Sequence, residues 1–322
     1  MDFNLTNLRS DSDDLSGEIL DVIIIGAGPA GMSAALYAAR AELKPFVLTG
    51  MELGGQASLT DIIENYPGFP DGVGGNEISE LFQKHAERFG AKFDFDSVMS
   101  VDFSKKPYRV TTYSREYLAK AVIISTGASP NLLNVPGEKE LTGRGVSYCA
   151  TCDGWFFKDK KVVVVGGGDS ALEEGLFLTR YAASVTIVHR RDSLRASAIL
   201  QKRAADNPKI NFIWNSVITS IEGDNKVEKV LLKNVESAEK SELLVDGVFI
   251  FIGHTPNSQL FINQLDLDER GNIKTDSLMR TNLPGIFAAG EVMDSHFRQV
   301  VTSAGMGAAA AIEATRYLES EE

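Results

Sequence analysis

The sequence predicts an α/β protein with two dinucleotide-binding domains of Rossmann type, the second inserted in the first. Two observations carry this prediction. A pattern of strand, glycine turn and helix begins at Asp21, and a second copy of the same pattern begins at Lys161. Apolar strands that end on Gly and Pro bends precede and follow the second copy, as expected where a chain crosses between domains.

Length, composition and charge leave room for this arrangement and exclude several others. The 322 residues are enough for two ordinary domains, and a hydrophobic share of 43% excludes an intrinsically disordered chain. The net charge of -12 disfavours nucleic acid and anionic membrane surfaces as partners. Residues 1–20 contain neither a basic start nor an apolar core, so we expect no signal peptide and a cytoplasmic location.

The first copy has the features of a phosphate-binding turn. An apolar run at residues 22–25, directly after Asp21, is followed by Gly26, Gly28 and Gly31 and then by a helical pattern at residues 32–40. In such a unit the first glycine permits a sharp turn, the second lets the backbone approach a diphosphate, and the third lets helix and strand pack closely. Residues 22–39 carry no charge, but their glycines and proline favour strand, turn and helix over a membrane span.

The second copy repeats this order, with Ala171 in the third position after Gly166 and Gly168. Each copy is followed by another short apolar strand, at residues 45–48 and 184–188, so each is a complete βαβ unit. A single glycine motif of this kind is a weak signal, whereas two copies in the same structural context are a strong one. Plain βαβ packing units without a nucleotide are the alternative interpretation.

The strand at residues 184–188 ends in a basic cluster that comprises His189, Arg190, Arg191 and Arg195. An NAD-binding domain usually has an acidic residue at this place, which bonds the ribose 2′-hydroxyl. Guanidinium groups there favour a 2′-phosphate instead, and therefore NADPH. A solvated basic helix face is the alternative interpretation, which the position of the cluster in the βαβ unit disfavours.

The apolar strands at residues 121–126 and 247–252 mark the crossings between the domains. We therefore expect a discontinuous first domain from residues 1–128 and 254–322, and an inserted domain from residues 129–253. The tail adds a further apolar strand and a helix of small residues at 308–317. Residues 1–20 have no assigned role, and as a chain terminus they are a candidate for disorder.

The first copy lacks both an acidic residue and a basic cluster at the end of its second strand. A glycine-rich loop at residues 49–56, in which Glu52 comes slightly late for that place, indicates close backbone approach to a large cofactor. In the tail, Glu291 follows Gly290, and a carboxylate there suits the ribityl hydroxyls of a flavin.

The two cysteines of the chain, Cys149 and Cys152, form a Cys-x-x-Cys motif that Asp153 follows directly. A zinc site needs four ligands, and the four histidines have no ligand spacing, so we expect no metal. A c-type haem would require His after the second cysteine. Two buried inert cysteines remain an alternative. A redox dithiol is favoured, because this spacing lowers a thiol pKa, and Asp153 is placed to carry a proton to a leaving thiolate.

Taken together, these residues resemble the low-molecular-weight thioredoxin reductases over nearly the whole chain after residue 20. The most specific motif is CATCDG between two dinucleotide motifs. The motifs that carry the resemblance are, in order, GAGPAGMSAALYAARA, TGMELGGQ, ENYPGFP, STGASP, GVSYCATCDGWFF, GGGDSALEEG, HRRDSLRA, GHTPN, FAAGEVMD and RQVVTSAG. The resemblance implies a homodimeric FAD enzyme that passes electrons from NADPH through the flavin to a disulfide, and then to thioredoxin or a thioredoxin-like protein.

The resemblance also implies roles for individual residues, with Cys149 and Cys152 as the redox pair, Cys152 nearer the flavin, and Asp153 as the acid. The residues implied to bind FAD are Gly26, Gly28, Pro29, Ala30, Gly31, Thr49, Gly50, Gly54, Gly55, Gln56, Asn65, Gly290, Glu291, Arg298, Gln299 and Val300. Those implied to bind NADPH are Gly166, Gly168, Asp169, Ser170, Ala171, His189, Arg190, Arg191 and Arg195.

Family members usually have Asp where this chain has Glu291, and the extra methylene requires an adjusted or water-mediated flavin contact. The domains of the family are thought to rotate, which places a hinge at residues 125–130 and 253–257. Two alternatives to thioredoxin reduction stay open. One is a ferredoxin-linked or other-disulfide flavin reductase of the same fold, and the other is a non-catalytic nucleotide-binding redox sensor.

Overall fold

The computed structural model describes residues 18–51, 53–60, 62–63 and 65–321. The helices in this part of the chain are α1 (Pro29–Arg40), α2 (Gly75–Arg88), α3 (Ala150–Asp153), α4 (Asp169–Leu178), α5 (Ala198–Ala205) and α6 (Val300–Glu321). The strands are β1 (Ile19–Ile25), β2 (Pro45–Leu48), β3 (Lys92–Asp94), β4 (Val98–Asp102), β5 (Tyr108–Thr112), β6 (Glu116–Ile124), β7 (Ala128–Pro130), β8 (Val146–Ser147), β9 (Lys161–Val165), β10 (Ser184–Val188), β11 (Ile210–Ile213), β12 (Ser216–Glu222), β13 (Lys229–Asn234), β14 (Lys240–Leu244), β15 (Gly247–Ile250), β16 (His254–Pro256) and β17 (Ile286–Ala288). Short 3-10 helices lie at Gly55–Leu59, Gly154–Phe157, Gln259–Phe261 and Gly290–Val292.

The first sheet has the strand order β3-β2-β1-β6-β5-β4, and β17 also pairs with β6. The second half of β6 pairs in parallel with β1 and β17, while its first half pairs antiparallel with β5. The apolar run of β1 is buried on both faces, which is the pattern of a central parallel strand. Because β17 lies far along the chain, this sheet draws its strands from both sides of the second glycine motif.

Helices α1 and α6 cover one face of the first sheet and share its larger hydrophobic core. Their contact depends on small side chains, since a Cβ at Gly307 would lie 1.9 Å from the backbone oxygen of Ala30. This contact also explains a correction to the tail helix, which begins at Val300 rather than at residue 308. Its first two turns lie over the turn that begins α1.

The second sheet is parallel, with the strand order β11-β10-β9-β15-β8. The four valines of β9 and the whole of β15 are apolar and buried, and helices α4 and α5 pack on one face. A separate sheet of β12, β13 and β14 lies against the other face through Ile218, Ile221 and Val230. The sequence patterns did not identify this sheet, because its strands alternate apolar residues with Lys, Glu and Ser.

The two sheets are joined by two chain crossings that run side by side. Strands β7 and β16 pair antiparallel, with Thr255 opposite Ser129. Thr126 and Asn257 strengthen this ribbon, because each side chain hydrogen-bonds the backbone carbonyl of the other, at 2.7 and 2.9 Å. The residues between the crossings, 131–253, hold the whole second sheet. The fold class is therefore the one that the sequence predicts.

The N-terminal expectation needs one correction. Residues 1–17 lie outside the described part of the chain, but Ile19 and Leu20 already belong to β1. Leu20 is buried and pairs with Ala119 of β6, so the ordered fold begins before residue 21. Among the described helices, none is both long enough and apolar enough to cross a lipid bilayer.

Candidate active site

A cavity of about 1340 Å³ lies between the two sheets and receives side chains from both. Its lining includes the cysteine pair and most of the residues expected at a flavin, namely Gly26, Gly28, Pro29, Ala30, Thr49, Gly55, Gln56, Asn65, Gly290, Glu291, Arg298, Gln299 and Val300. Gly31, Gly50 and Gly54 do not line it. The structure thus brings together residues that are distant in the sequence, and it places a disulfide among them.

The first glycine turn fits the diphosphate of a dinucleotide. Helix α1 begins after Gly28 with no side-chain cap and no acidic residue in its first turn, so its free N–H groups and positive end face the cavity. A Cβ at Gly31 would lie 1.9 Å from the backbone oxygen of Gly26, so the third glycine serves close packing rather than contact with the ligand.

Substituting Gly31→Ala is therefore expected to lower the free energy of unfolding by about 2 kcal/mol or more, because the backbone at Gly26 cannot move without displacing the turn. Urea denaturation measures the loss, and the flavin content of the purified variant should fall with it. Gly305→Ala is the matched control, since that helical glycine has open space around its Cβ position. We expect it to be neutral or stabilising by up to about 1 kcal/mol. Equal stability of the Gly31 variant and wild type would contradict the packing role.

The second glycine turn is open in the same way. Among the described residues, none caps the start of helix α4 after Gly168 with its side chain, and none has an atom within 4 Å of a Cβ placed at Gly168. Asp169 and Ser170, in the first turn of α4, also line the cavity. Asp169 accepts a hydrogen bond from the Ser197 N–H at 2.7 Å, which joins the turn to the segment that follows the basic cluster.

His189 lies beneath this turn rather than beside an open surface. It is 5% exposed, and a Cβ at Gly167 would lie 2.3 Å from its ring. Burial lowers the pKa of His189, and its Nε2 atom has no hydrogen-bond partner in the described chain. The ring therefore supports the second glycine turn from beneath.

The three arginines of the basic cluster lie outside the cavity. Arg190, Arg191 and Arg195 are exposed, and none of them pairs with an acidic side chain of the described residues. The backbone N–H of Arg195 bonds the Gly167 oxygen at 2.7 Å, which holds the cluster beside the second glycine turn. Guanidinium groups without an acidic partner among the described residues are the kind of group that binds a phosphate.

Cys149 and Cys152 form a disulfide at the start of helix α3, with their Cα atoms 5.3 Å apart. Cys149 is the N-cap residue, and its Sγ atom accepts a hydrogen bond from the Cys152 N–H at 3.2 Å. Asp153 is oriented by Ser147, whose hydroxyl donates to Oδ2 at 2.5 Å. The arrangement suits thiol–disulfide exchange, because a backbone N–H donates to the Cys149 sulfur and an oriented carboxyl group lies next to the cysteine pair in the sequence.

A half-buried group of ionisable side chains lies on the same cavity, at the junction of the sheets. Arg298 Nη1 donates to His254 Nδ1 at 2.9 Å, so that nitrogen carries no proton. Burial and the Arg298 charge lower the pKa of His254 to about 4. Burial raises the pKa of Glu291, which Arg298 partly offsets. At neutral pH the His254 imidazole is therefore neutral, and the Arg298 guanidinium affects the pKa values of both His254 and the poorly solvated Glu291.

Sequence reasoning missed four of the residues that shape this site. Ser147, Thr151, Glu174 and His254 all line the cavity, and none was singled out. Glu174 belongs to α4, and burial raises the pKa of its carboxyl, an effect that the Ala150 amide partly offsets. The position of Ser147 and Thr151 within a few residues of the cysteines was the available signal. Among the described residues, no cluster of His, Cys, Asp or Glu has the arrangement of a metal site.

Comparison with known proteins agrees with this geometry. The family model described as pyridine nucleotide-disulphide oxidoreductase matches residues 20–307. A thioredoxin reductase of Streptomyces coelicolor is 51% identical over 304 residues, which cover 94% of each chain. The crystal structure of thioredoxin reductase from Streptococcus pyogenes is 46% identical, covers 94% of this chain and 99% of its own, and has a TM-score of 0.90.

A second solved structure has the same identity but a lower structural score. Thioredoxin reductase from Lactococcus lactis, described as the FR conformation, is 46% identical with the same coverage and a TM-score of 0.64. The family model spans most of the chain, and the identities are far above the level at which a shared fold is in question. The chain belongs to the pyridine nucleotide-disulphide oxidoreductases and, within them, to the thioredoxin reductases.

Proposed function

We propose that the protein is an NADPH-dependent thioredoxin-disulfide reductase with FAD as its flavin. The observation that carries this proposal is the Cys149–Cys152 disulfide on the wall of a cavity that both glycine turns approach. A structural disulfide would be expected in a core or between secondary structures, away from a nucleotide site. A disulfide on such a cavity is placed to exchange electrons with what the cavity binds.

FAD is the cofactor that the first domain fits. The α1 turn would hold the diphosphate, Glu291 and the Thr49–Gln56 loop would hold the sugar and ribityl chain, and Asn65, Arg298 and Gln299 would approach the ring system; Glu52 of that loop lies outside the described residues. When bound, the flavin supplies the two-electron redox chemistry that links a hydride donor to the disulfide. Glu291 extends into the cavity, which supports its place in the set despite the longer side chain.

NADPH is the reductant that the second domain fits. The α4 turn would hold its diphosphate, and the basic cluster would hold its 2′-phosphate. The support is positional, since Arg190 and Arg191 follow β10, which ends beside the turn, after a single intervening residue. A ferredoxin-linked enzyme would have no use for this cluster.

The chain's own residues carry the exchange with thioredoxin. One cysteine thiolate attacks a sulfur of the thioredoxin disulfide, and a mixed disulfide forms while the second thioredoxin sulfur leaves and takes a proton from Asp153. The other cysteine thiolate then attacks its neighbour in the mixed disulfide. This step releases reduced thioredoxin and restores the Cys149–Cys152 disulfide, so that one electron pair has passed to the partner.

We further propose the domain division at residues 128/129 and 253/254, with the β7–β16 ribbon as the hinge. The ribbon joins the sheets through only two crossings, which suits rotation. Relatives of equal identity and coverage have TM-scores of 0.90 and 0.64, which supports more than one arrangement of the same parts. Exposed apolar side chains on the helices of the first domain, such as Tyr37, Leu81 and Ile312, support a homodimer. A reducing compartment, the cytoplasm, suits a dithiol of this kind.

The test is steady-state NADPH oxidation by the purified flavoprotein with oxidised thioredoxin as the acceptor. We expect turnover that requires thioredoxin and that glutathione disulfide does not replace. A single stoichiometric oxidation of NADPH without turnover would overturn the proposal in favour of a redox sensor. Turnover with reduced ferredoxin but not with NADPH would overturn it in favour of a ferredoxin-linked reductase.

A further inference from the structure

Thr151 lies between the two cysteines and belongs to a chain of hydrogen bonds that crosses from one domain to the other. Its Oγ1 atom is 3.3 Å from Cys149 Sγ and 3.2 Å from Gln299 Nε2. Gln299 Oε1 accepts from Asn65 Nδ2 at 3.0 Å. Thr151 and Cys149 are part of the inserted segment, whereas Asn65 and Gln299 belong to the chain on either side of it.

The direction of these bonds follows from what each atom can do. Gln299 Nε2 also bonds the Phe297 carbonyl at 3.3 Å, and a carbonyl only accepts, so the amide nitrogen is the donor. Thr151 Oγ1 therefore accepts from Gln299, and its single hydrogen is free to be donated elsewhere. Cys149 Sγ is the acceptor within reach. The hydroxyl thus points from the first domain's amide to the sulfur.

The strength of this bond depends on the charge of the sulfur. A disulfide sulfur is a weak acceptor, whereas a thiolate accepts a charge-assisted hydrogen bond. The Cys152 N–H already donates to Cys149 Sγ, so a thiolate there would have two donors. Donation from Gln299 polarises the hydroxyl of Thr151 and makes it a better donor.

We propose that Thr151 is a positioning residue that couples negative charge on Cys149 to the contact between the two domains. Reduction strengthens the Thr151–Cys149 hydrogen bond and with it the hydrogen bond to Gln299. Helix α3 of the reduced protein is therefore held more firmly against the first domain. By linkage, the same contact stabilises the thiolate. The inference rests on the proposed function only in that Cys149 becomes a thiolate during turnover.

The test uses the fact that the chain has no other cysteines. In the Cys152→Ser background, the pH dependence of the iodoacetamide alkylation rate reports the pKa of Cys149 alone. Thr151→Val is expected to raise that pKa by about 0.5–1 unit, which lowers alkylation near neutral pH roughly three- to tenfold. Thr151→Ser restores the hydroxyl and should restore the wild-type rate. Asp153 at the end of α3, and Glu174, whose carboxyl the Ala150 amide contacts, are unchanged in all variants.

Two further arms separate coupling from a local structural effect. In the Cys149→Ser background, Thr151→Val should leave the pKa of Cys152 unchanged, because the hydroxyl bonds the other sulfur. Gln299→Leu should raise the Cys149 pKa in the same direction, and adding Thr151→Val to it should have less effect than Thr151→Val alone. An unchanged Cys149 pKa in Thr151→Val, or full additivity with Gln299→Leu, would overturn the inference. Thioredoxin reduction by wild type is measured separately, so failure of the proposed function is a distinct result.

Discussion

Cys149→Ser and Cys152→Ser are each expected to lower thioredoxin reduction by at least about 10³-fold, because exchange through a mixed disulfide needs both an attacking and a resolving sulfur. Serine keeps the size and part of the hydrogen bonding of cysteine, so the loss reports the chemistry and not the packing. The measurement is NADPH oxidation with oxidised thioredoxin.

Reduction of the bound flavin by NADPH serves as the internal control, since that step involves no sulfur. In both serine variants it should proceed at a rate near that of wild type when followed anaerobically by absorbance. If either variant keeps near-native thioredoxin reduction, the disulfide is structural. If flavin reduction is lost as well, the substitution has damaged the cavity, and the result says nothing against exchange.

Removing Arg190 and Arg191 together should raise the KM for NADPH on the order of 10²-fold and leave kcat nearly unchanged. The 2′-phosphate is remote from the reacting carbon, so the loss is one of ground-state binding. The side chains are exposed, and solvent screening keeps the effect at the lower end of what two charge-assisted bonds can give. Activity with NADH, which has no 2′-phosphate, should barely change.

Lys202→Ala with Arg203→Ala is the matched control, because it removes the same charge from helix α5 of the same domain. That variant should keep the NADPH KM within about twofold of wild type, as expected for a general electrostatic effect at ordinary ionic strength. A wild-type enzyme that uses NADH and NADPH with equal efficiency would contradict the assignment and favour a solvated basic surface instead.

The parts of the fold that could be predicted were those with a strong local pattern. Strands β1 and β9 each end in a run of four apolar residues followed by a glycine turn, and the short strands β2 and β10 follow the helix of each motif as predicted. The sheet of β12–β14 could not be predicted in the same way, because its strands are half exposed and their polar residues look like surface loops. The start of α6 was missed because Gly305 and Gly307 interrupt the helical signal, although Gly307 is needed for contact with α1.

Within the candidate site, too, the residues that could be predicted were those with a local sequence pattern. Cys149, Cys152 and Asp153 are neighbours in the sequence, so their chemistry could be inferred from spacing. The links from Ser147 to Asp153, from Arg298 to His254 and from Gln299 to Thr151 join residues through space. Two of these three links cross long separations in the sequence. Arg298–His254 joins two positions that both follow the inserted segment, and Gln299–Thr151 joins the chain after that segment to the segment itself. His189 is a related case, since its burial under Gly167 depends on packing that the motif does not specify.

The most direct test of the whole account is an anaerobic titration of the purified protein followed by its visible spectrum. We expect a yellow protein whose flavin absorbance bleaches on addition of NADPH and returns on addition of oxidised thioredoxin, with NADH far less effective at the same concentration. Return of the absorbance would demonstrate that electrons pass from NADPH through this chain to a protein disulfide. A colourless protein with no affinity for flavin, or a bleached flavin that oxidised thioredoxin does not restore, would contradict the account.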